Sequence, residues 1–179
     1  ERLKLLIEEH EVGIVKMEVM RNRRPDNNFL QEVRKLTAEK GIILIFDECS
    51  SGFRETFGGL FQRYNVEPDI AEVWGSEVNL CYPGLYAGTT DLVGIYKGNP
   101  CIMDFKQTNK PKKREWIDDY FMQAAAYGMA HNEVFETKIN RAAIFMCSRE
   151  CEFQLFEVGP DEFEQWTEKW AKRVEEFYN

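Results

Sequence analysis

The chain has 179 residues, 44% of them hydrophobic and 30% charged, the balance of a globular domain and not of a disordered or fibrous chain. Its net charge of −8 excludes a protein that coats nucleic acid through its overall field, but not one that holds nucleic acid locally. No apolar run approaches the ~20 residues that span a bilayer, and the odd, scattered set Cys49, Cys81, Cys101, Cys147 and Cys151 suits a reducing cytoplasm better than a disulfide framework.

The chain opens on Glu1 and not on Met, so it is read as a fragment or a trimmed chain. Charges alternating with Leu3, Leu5, Leu6 and Ile7 predict the end of an amphipathic helix. Val12 to Val19 predicts a strand, and the basic stretch from Met20 to Asn28, broken by Pro25, a loop. Leu30, Val33 and Leu36 share one face of a helix predicted from Phe29 to Lys40 and capped by Gly41. The apolar run that follows, ending at Asp47, predicts a strand buried on both faces. Together these segments form a β-α-β unit.

The run IILIFDECSSGFRETFGGLFQRYNVEPDIA resembles the large domain of class III aminotransferases, in particular glutamate-1-semialdehyde aminomutases. The resemblance covers most of residues 1–72. It implies that Asp47 pairs with the pyridine nitrogen of pyridoxal phosphate, a sensible partner for a pyridinium. The family continues from this point to a lysine that holds the cofactor covalently. This chain has no lysine between Tyr64 and Ile95, so covalent chemistry has no nucleophile. Pyridoxal phosphate is therefore not expected as a cofactor, and Asp47 is expected to be vestigial.

A short strand is predicted from Val73 to Leu80. Beyond a turn at Tyr82-Pro83-Gly84, the stretch Gly88 to Lys110 predicts a hairpin about Gly98-Asn99. In that register residues whose numbers sum to 197 face each other, so Asp91 lies opposite Lys106 and diagonal to Asp104. Two carboxylates and an ammonium then converge on one patch, which calls for a divalent cation. A basic loop runs from Asn109 to Arg114, and a helix from Glu115 to His131 carries Gln123 and Tyr127 at i,i+4 spacing. Strands at Arg141 to Cys147 and Glu152 to Val158 precede a final helix from about Pro160 to Tyr178. In that helix Asp161 and Glu164 have capping-box spacing. Cys147 and Cys151 are read as buried thiols and not as cluster ligands, and His131 as a capping or surface residue.

This half resembles the PD-(D/E)XK nuclease superfamily, in particular RecB-type domains and phage and mitochondrial genome maintenance exonucleases. Gly88-Thr-Thr-Asp91, Asp104-Phe105-Lys106, the basic stretch through Arg114, and Gln123-Ala-Ala-Ala-Tyr127 carry it. The resemblance implies a DNA exonuclease in which Asp91 and Asp104, with the Phe105 carbonyl, hold Mg²⁺ or Mn²⁺. Lys106 would orient or deprotonate the attacking water, and Gln123 and Tyr127 would position the site. Lys110, Lys112, Lys113 and Arg114 would hold phosphates. Plainer readings stay open, a solvated loop for the lysines and a core aromatic for Tyr127.

The expected fold class is α/β (α+β). A mixed central sheet is flanked by helices, with a β-α-β aminotransferase-like fragment in residues 1–72 and a restriction-endonuclease-like core in 73–179. The expectation is a chimera that degrades DNA in a cytoplasm, a phage's host included, and does not touch a membrane. The alternatives are an inactive aminomutase fragment and a nucleic-acid-binding module without turnover.

Overall fold

The computed structural model describes residues 2–20, 23–26, 28–48 and 59–179, without the side chains of 71 and 72. The chain is a mixed α/β protein of two compact units. One is Glu1–Val73 with Ile95–Gly98, and the other Trp74–Gly94 with Asn99–Asn179.

The first unit opens with helix α1, Arg2–Glu9, which buries none of its residues fully, although Leu3 leans on the unit's core. Strand β1, Ile14–Glu18, and strand β2, Ile43–Asp47, pair in parallel from Ile14 opposite Ile43 to Glu18 opposite Asp47. Helix α2, Phe29–Glu39, connects them and turns Leu30, Val33 and Thr37 inward, the i, i+3, i+7 spacing of one helix face. It stops because Gly41 adopts φ +66. The amide of Ile42 then bonds back to the Thr37 carbonyl at 2.8 Å, as at glycine-ended helices generally. Leu44 and Phe46 from β2 meet Leu30, Val33, Leu60, Phe61 and Val66 in one core.

Asp69 ties this unit together. It takes a two-pronged bond from Arg34 of α2, at 2.7 and 3.2 Å, and the Leu44 amide of β2 at 2.9 Å. Its own carbonyl accepts the Lys97 amide at 2.7 Å. A charge-assisted fork of this kind contributes more than a neutral bond.

The second unit contains a five-stranded mixed sheet. The strands lie in chain order: β3, Ile70–Tyr82, which begins in the first unit; β4, Tyr86–Tyr96; β5, Asn99–Thr108; β6, Ala142–Ser148; and β7, Phe153–Val158. β5 and β6 are parallel, with Asp104 opposite Ile144, and β6 and β7 are antiparallel. Helix α3, Asp118–Phe135, makes the crossover from β5 to β6, and helix α4, Pro160–Tyr178, closes the chain. Phe121, Ala124 and Ala125 of α3 and Phe163 and Trp166 of α4 pack on Ile102, Ile144 and Met146 of the sheet.

Several expectations change. The hairpin turns on Lys97-Gly98, at φ 46 and 74, and not on Gly98-Asn99. A two-residue turn with both φ positive matches the twist of the flanking strands. The pairing sum becomes 195, so Asp91 faces Asp104 and not Lys106. β3 is 13 residues long where a short strand was expected. The expected helix from Glu115 is a 3-10 turn, Arg114–Trp116, then a break at Ile117, then α3. No side-chain cap bond starts α4. The Phe163 amide bonds instead to the Gly159 carbonyl at 2.8 Å, and Pro160 stands in the first turn.

Candidate functional site

β4 and β5 carry Asp91, Asp104 and Lys106 to one place. Asp104 is only 4% exposed. Its carboxylate lies 2.8 and 2.7 Å from Lys106 Nζ, two residues along the strand and therefore on the same face. Asp91 Oδ2 accepts the Phe105 amide at 2.8 Å. Burial raises the Asp104 carboxyl above its usual range. Lys106 pulls it back, and neighbouring Asp91 raises it further. The cluster thus contains a buried acid whose charged form burial and Asp91 disfavour and Lys106 favours. Lys106 also stands 5.3 Å from the centre of the Tyr120 ring.

α3 supplies the other wall. Gln123 donates to the Tyr127 hydroxyl at 3.0 Å. Burial raises the Tyr127 pKa, the bond from Gln123 opposes it, and Asp104, Lys106 and Asp91 all act on it. That electrostatic coupling means the five residues form one cluster. Gly88 is what lets the ring sit there, because a Cβ at that position would lie 2.6 Å from Tyr127 Cε1. Tyr120 is the member that sequence reasoning missed, although Tyr120, Gln123 and Tyr127 lie on one helix face. Phe105 contributes its amide to Asp91 and leaves its side chain half exposed.

The basic loop is anchored. Gln154 of β7 accepts the Lys112 amide at 2.7 Å and donates to the Lys112 carbonyl at 2.9 Å. Arg114 does not join the lysines. It is gripped by Glu162 at 2.6 and 2.7 Å, bonds the Glu157 carbonyl, and lies over the Phe121 ring.

In the first unit Asp47 ends β2, and the Lys16 ammonium lies 3.0 Å from its Oδ2. The lysine side chain is 63% exposed, and an ion pair this open contributes about 0–1 kcal/mol. Lys16 thus places a cationic N–H donor beside Asp47. Glu48 Oε1 accepts the Phe61 amide at 2.9 Å. The residues after Glu48 in this motif, 49–58, lie outside the described residues, Cys49 and Phe57 included. An open cleft of about 530 Å³ is lined by Arg34, Glu67, Asp69 and Lys97 among others, and the Arg34–Asp69 pair forms part of its wall.

Two smaller expectations are corrected. His131 is 6% exposed, bonded through Nδ1 to Thr137 Oγ1 at 2.8 Å and flanked by the Trp74 and Phe135 rings. It is a core residue whose pKa burial lowers. Cys147 and Cys151 are exposed thiols and not buried ones.

No protein-family model matches the chain. Among curated proteins it is similar to the glutamate-1-semialdehyde 2,1-aminomutase of Archaeoglobus fulgidus, 37% identical over 108 residues, which cover 58% of this chain and 23% of that protein. The enzymes of the same name from Desulfotalea psychrophila and Nitratidesulfovibrio vulgaris are 39% and 37% identical over 92 residues, covering 44% of this chain and 21% of each protein. These relatives overturn the exonuclease expectation and its keywords, nuclease, hydrolase and magnesium. These three relatives carry the name of an aminomutase and not of a nuclease. With the nuclease expectation, Mg²⁺ or Mn²⁺ is withdrawn as the cofactor, and so is the expectation that pyridoxal phosphate has no part, because the relatives are aminomutases. Among the described residues no helix is long and apolar enough to cross a membrane. Over part of its length, then, the chain is similar to glutamate-1-semialdehyde 2,1-aminomutases, and it spans between a fifth and a quarter of the length of those relatives.

Proposed function

We propose that residues 1–72 are a piece of a pyridoxal-phosphate aminomutase scaffold that recognises the cofactor and does not turn over by itself. The observation that carries this reading is the identity to aminomutases, which covers 58% of this chain and therefore runs beyond residue 72. It is supported by Asp47, a carboxylate at the end of a parallel strand with an exposed ammonium as its partner. When bound, pyridoxal phosphate supplies an electron sink for carbanion chemistry. Asp47 would accept the proton-bearing ring nitrogen in place of Lys16, and its negative charge would keep that nitrogen protonated. With no lysine between Tyr64 and Ile95, the nucleophile expected for covalent attachment is missing from that stretch, and binding there is non-covalent. The reading suits a cytoplasmic protein.

Calorimetric titration with pyridoxal 5′-phosphate tests it. Wild type is expected to bind. Asp47→Asn keeps the shape and removes the charge, and should bind roughly ten-fold or more weakly, the range of a hydrogen bond to a charged group. Equal binding by the two would overturn the reading.

A second reading concerns residues 73–179, a nuclease-like core that serves as a nucleic-acid-binding module without turnover. It is favoured by the reciprocal Gln154–Lys112 bonds, which hold a basic loop in one shape. Asp91, Asp104, Lys106, Gln123 and Tyr127 form its polar centre, and Lys110, Lys112 and Lys113 its phosphate contacts.

A further inference from the structure

Trp116 is 61% exposed, a large indole left outside on a short 3-10 turn. The turn beneath it is fixed. The Trp116 amide bonds to the Lys113 carbonyl at 3.0 Å, the Ile117 amide to the Arg114 carbonyl at 3.2 Å, and Ile117 itself is 2% exposed. The Lys113 ammonium stands 5.4 Å from the indole centre. At an exposed site that contact is worth only ~0.5–1 kcal/mol, so an anion can draw the lysine away. Lys110, Lys112 and Lys113 precede the indole in the sequence, while Lys106 and Arg114 on either side of them are paired with Asp104 and Glu162. Of the acids just beyond, Glu115, Asp118 and Asp119, the last is bonded to Arg173 at 3.1 Å. An aromatic face and a basic loop on a fixed backbone match a ligand that has flat rings at regular intervals along a polyanion.

Resting on the second reading above, the geometry points to Trp116 as a stacking platform that takes one unpaired base of a single-stranded nucleic acid. Lys110, Lys112 and Lys113 hold the phosphates on either side of that base. A duplex is disfavoured because its bases are already stacked on one another. The contact carries little sequence preference, since every base has a π-face. Salt weakens it, since each neutralised phosphate releases counterions.

The test is fluorescence anisotropy of a labelled oligo(dT) with the full chain in EDTA, beside an abasic oligodeoxyribose phosphate of equal length. Wild type is expected to bind oligo(dT) more tightly than the abasic strand. Trp116→Ala should weaken oligo(dT) binding roughly five-fold or more and bring it level with the abasic strand. Lys110→Gln combined with Lys113→Gln should weaken both strands alike. If Trp116→Ala binds oligo(dT) as wild type does while the lysine variant loses both strands, the platform is wrong and the module survives. If wild type binds neither strand, both fail. Circular dichroism of Trp116→Ala matching wild type confirms that a lost signal is not lost folding.

Discussion

Asp104 shows most clearly how a single residue bears on stability. Burial raises its pKa, and Asp91 adds to the rise while Lys106 opposes it. A carboxyl whose folded pKa stands above its unfolded value is easiest to bury when protonated. Its contribution is therefore best below the ordinary carboxylate range and declines as the pH climbs through the folded pKa. Asp104→Asn, which cannot ionise, should raise the thermal midpoint at about pH 7 and leave it almost unchanged at about pH 3. A lower midpoint at neutral pH would mean that the ion pair with Lys106 outweighs the burial. The residue types at this cluster were legible in the sequence. Their exact facing was not, because it hinged on a lysine taking a left-handed conformation at position 97, which side-chain preference disfavours. His131 was misread for a similar reason. Its burial comes from Trp74 and Phe135, and Trp74 is far away in the sequence.

Among the elements, strands were easier to read than helix starts. The apolar run at 42–46 is buried throughout, and nothing about it is ambiguous. The capping-box spacing at Asp161 and Glu164 was a false signal, because the N-cap of α4 is Gly159, two residues earlier, with Pro160 in the first turn. The hairpin of β6 and β7 closes from the Ser148 amide to the Glu152 carbonyl at 3.0 Å, leaving Cys151 at φ 63. A non-glycine residue there costs about 1 kcal/mol. Cys151→Gly should therefore gain about that much in denaturant unfolding, with the slope unchanged. A loss would show that the thiol makes a contact worth more than the strain. The basic loop was read as solvated or phosphate-binding on composition alone. What the sequence could not show is that Gln154, 42 residues on, fixes it.

For the whole molecule the outcome is a mixed α/β chain whose relatives are aminomutases spanning far more residues than it does. The motif through Asp47 made that kinship legible, since it sits on one continuous stretch of sequence. The missing lysine pointed the other way and led to the cofactor being set aside. A single absent nucleophile bears on covalent attachment alone, and says nothing against the proposed pairing of Asp47 with the ring nitrogen. The motifs of the second half that resemble a nuclease's were legible as a cluster and not as an activity, because proximity of charges does not specify which ligand they meet. The most direct measurement is the ¹⁵N chemical shift of ring-labelled pyridoxal 5′-phosphate bound to the chain at mildly alkaline pH. The account expects a protonated ring nitrogen in wild type and an unprotonated one with Asp47→Asn; the same shift in both would contradict it.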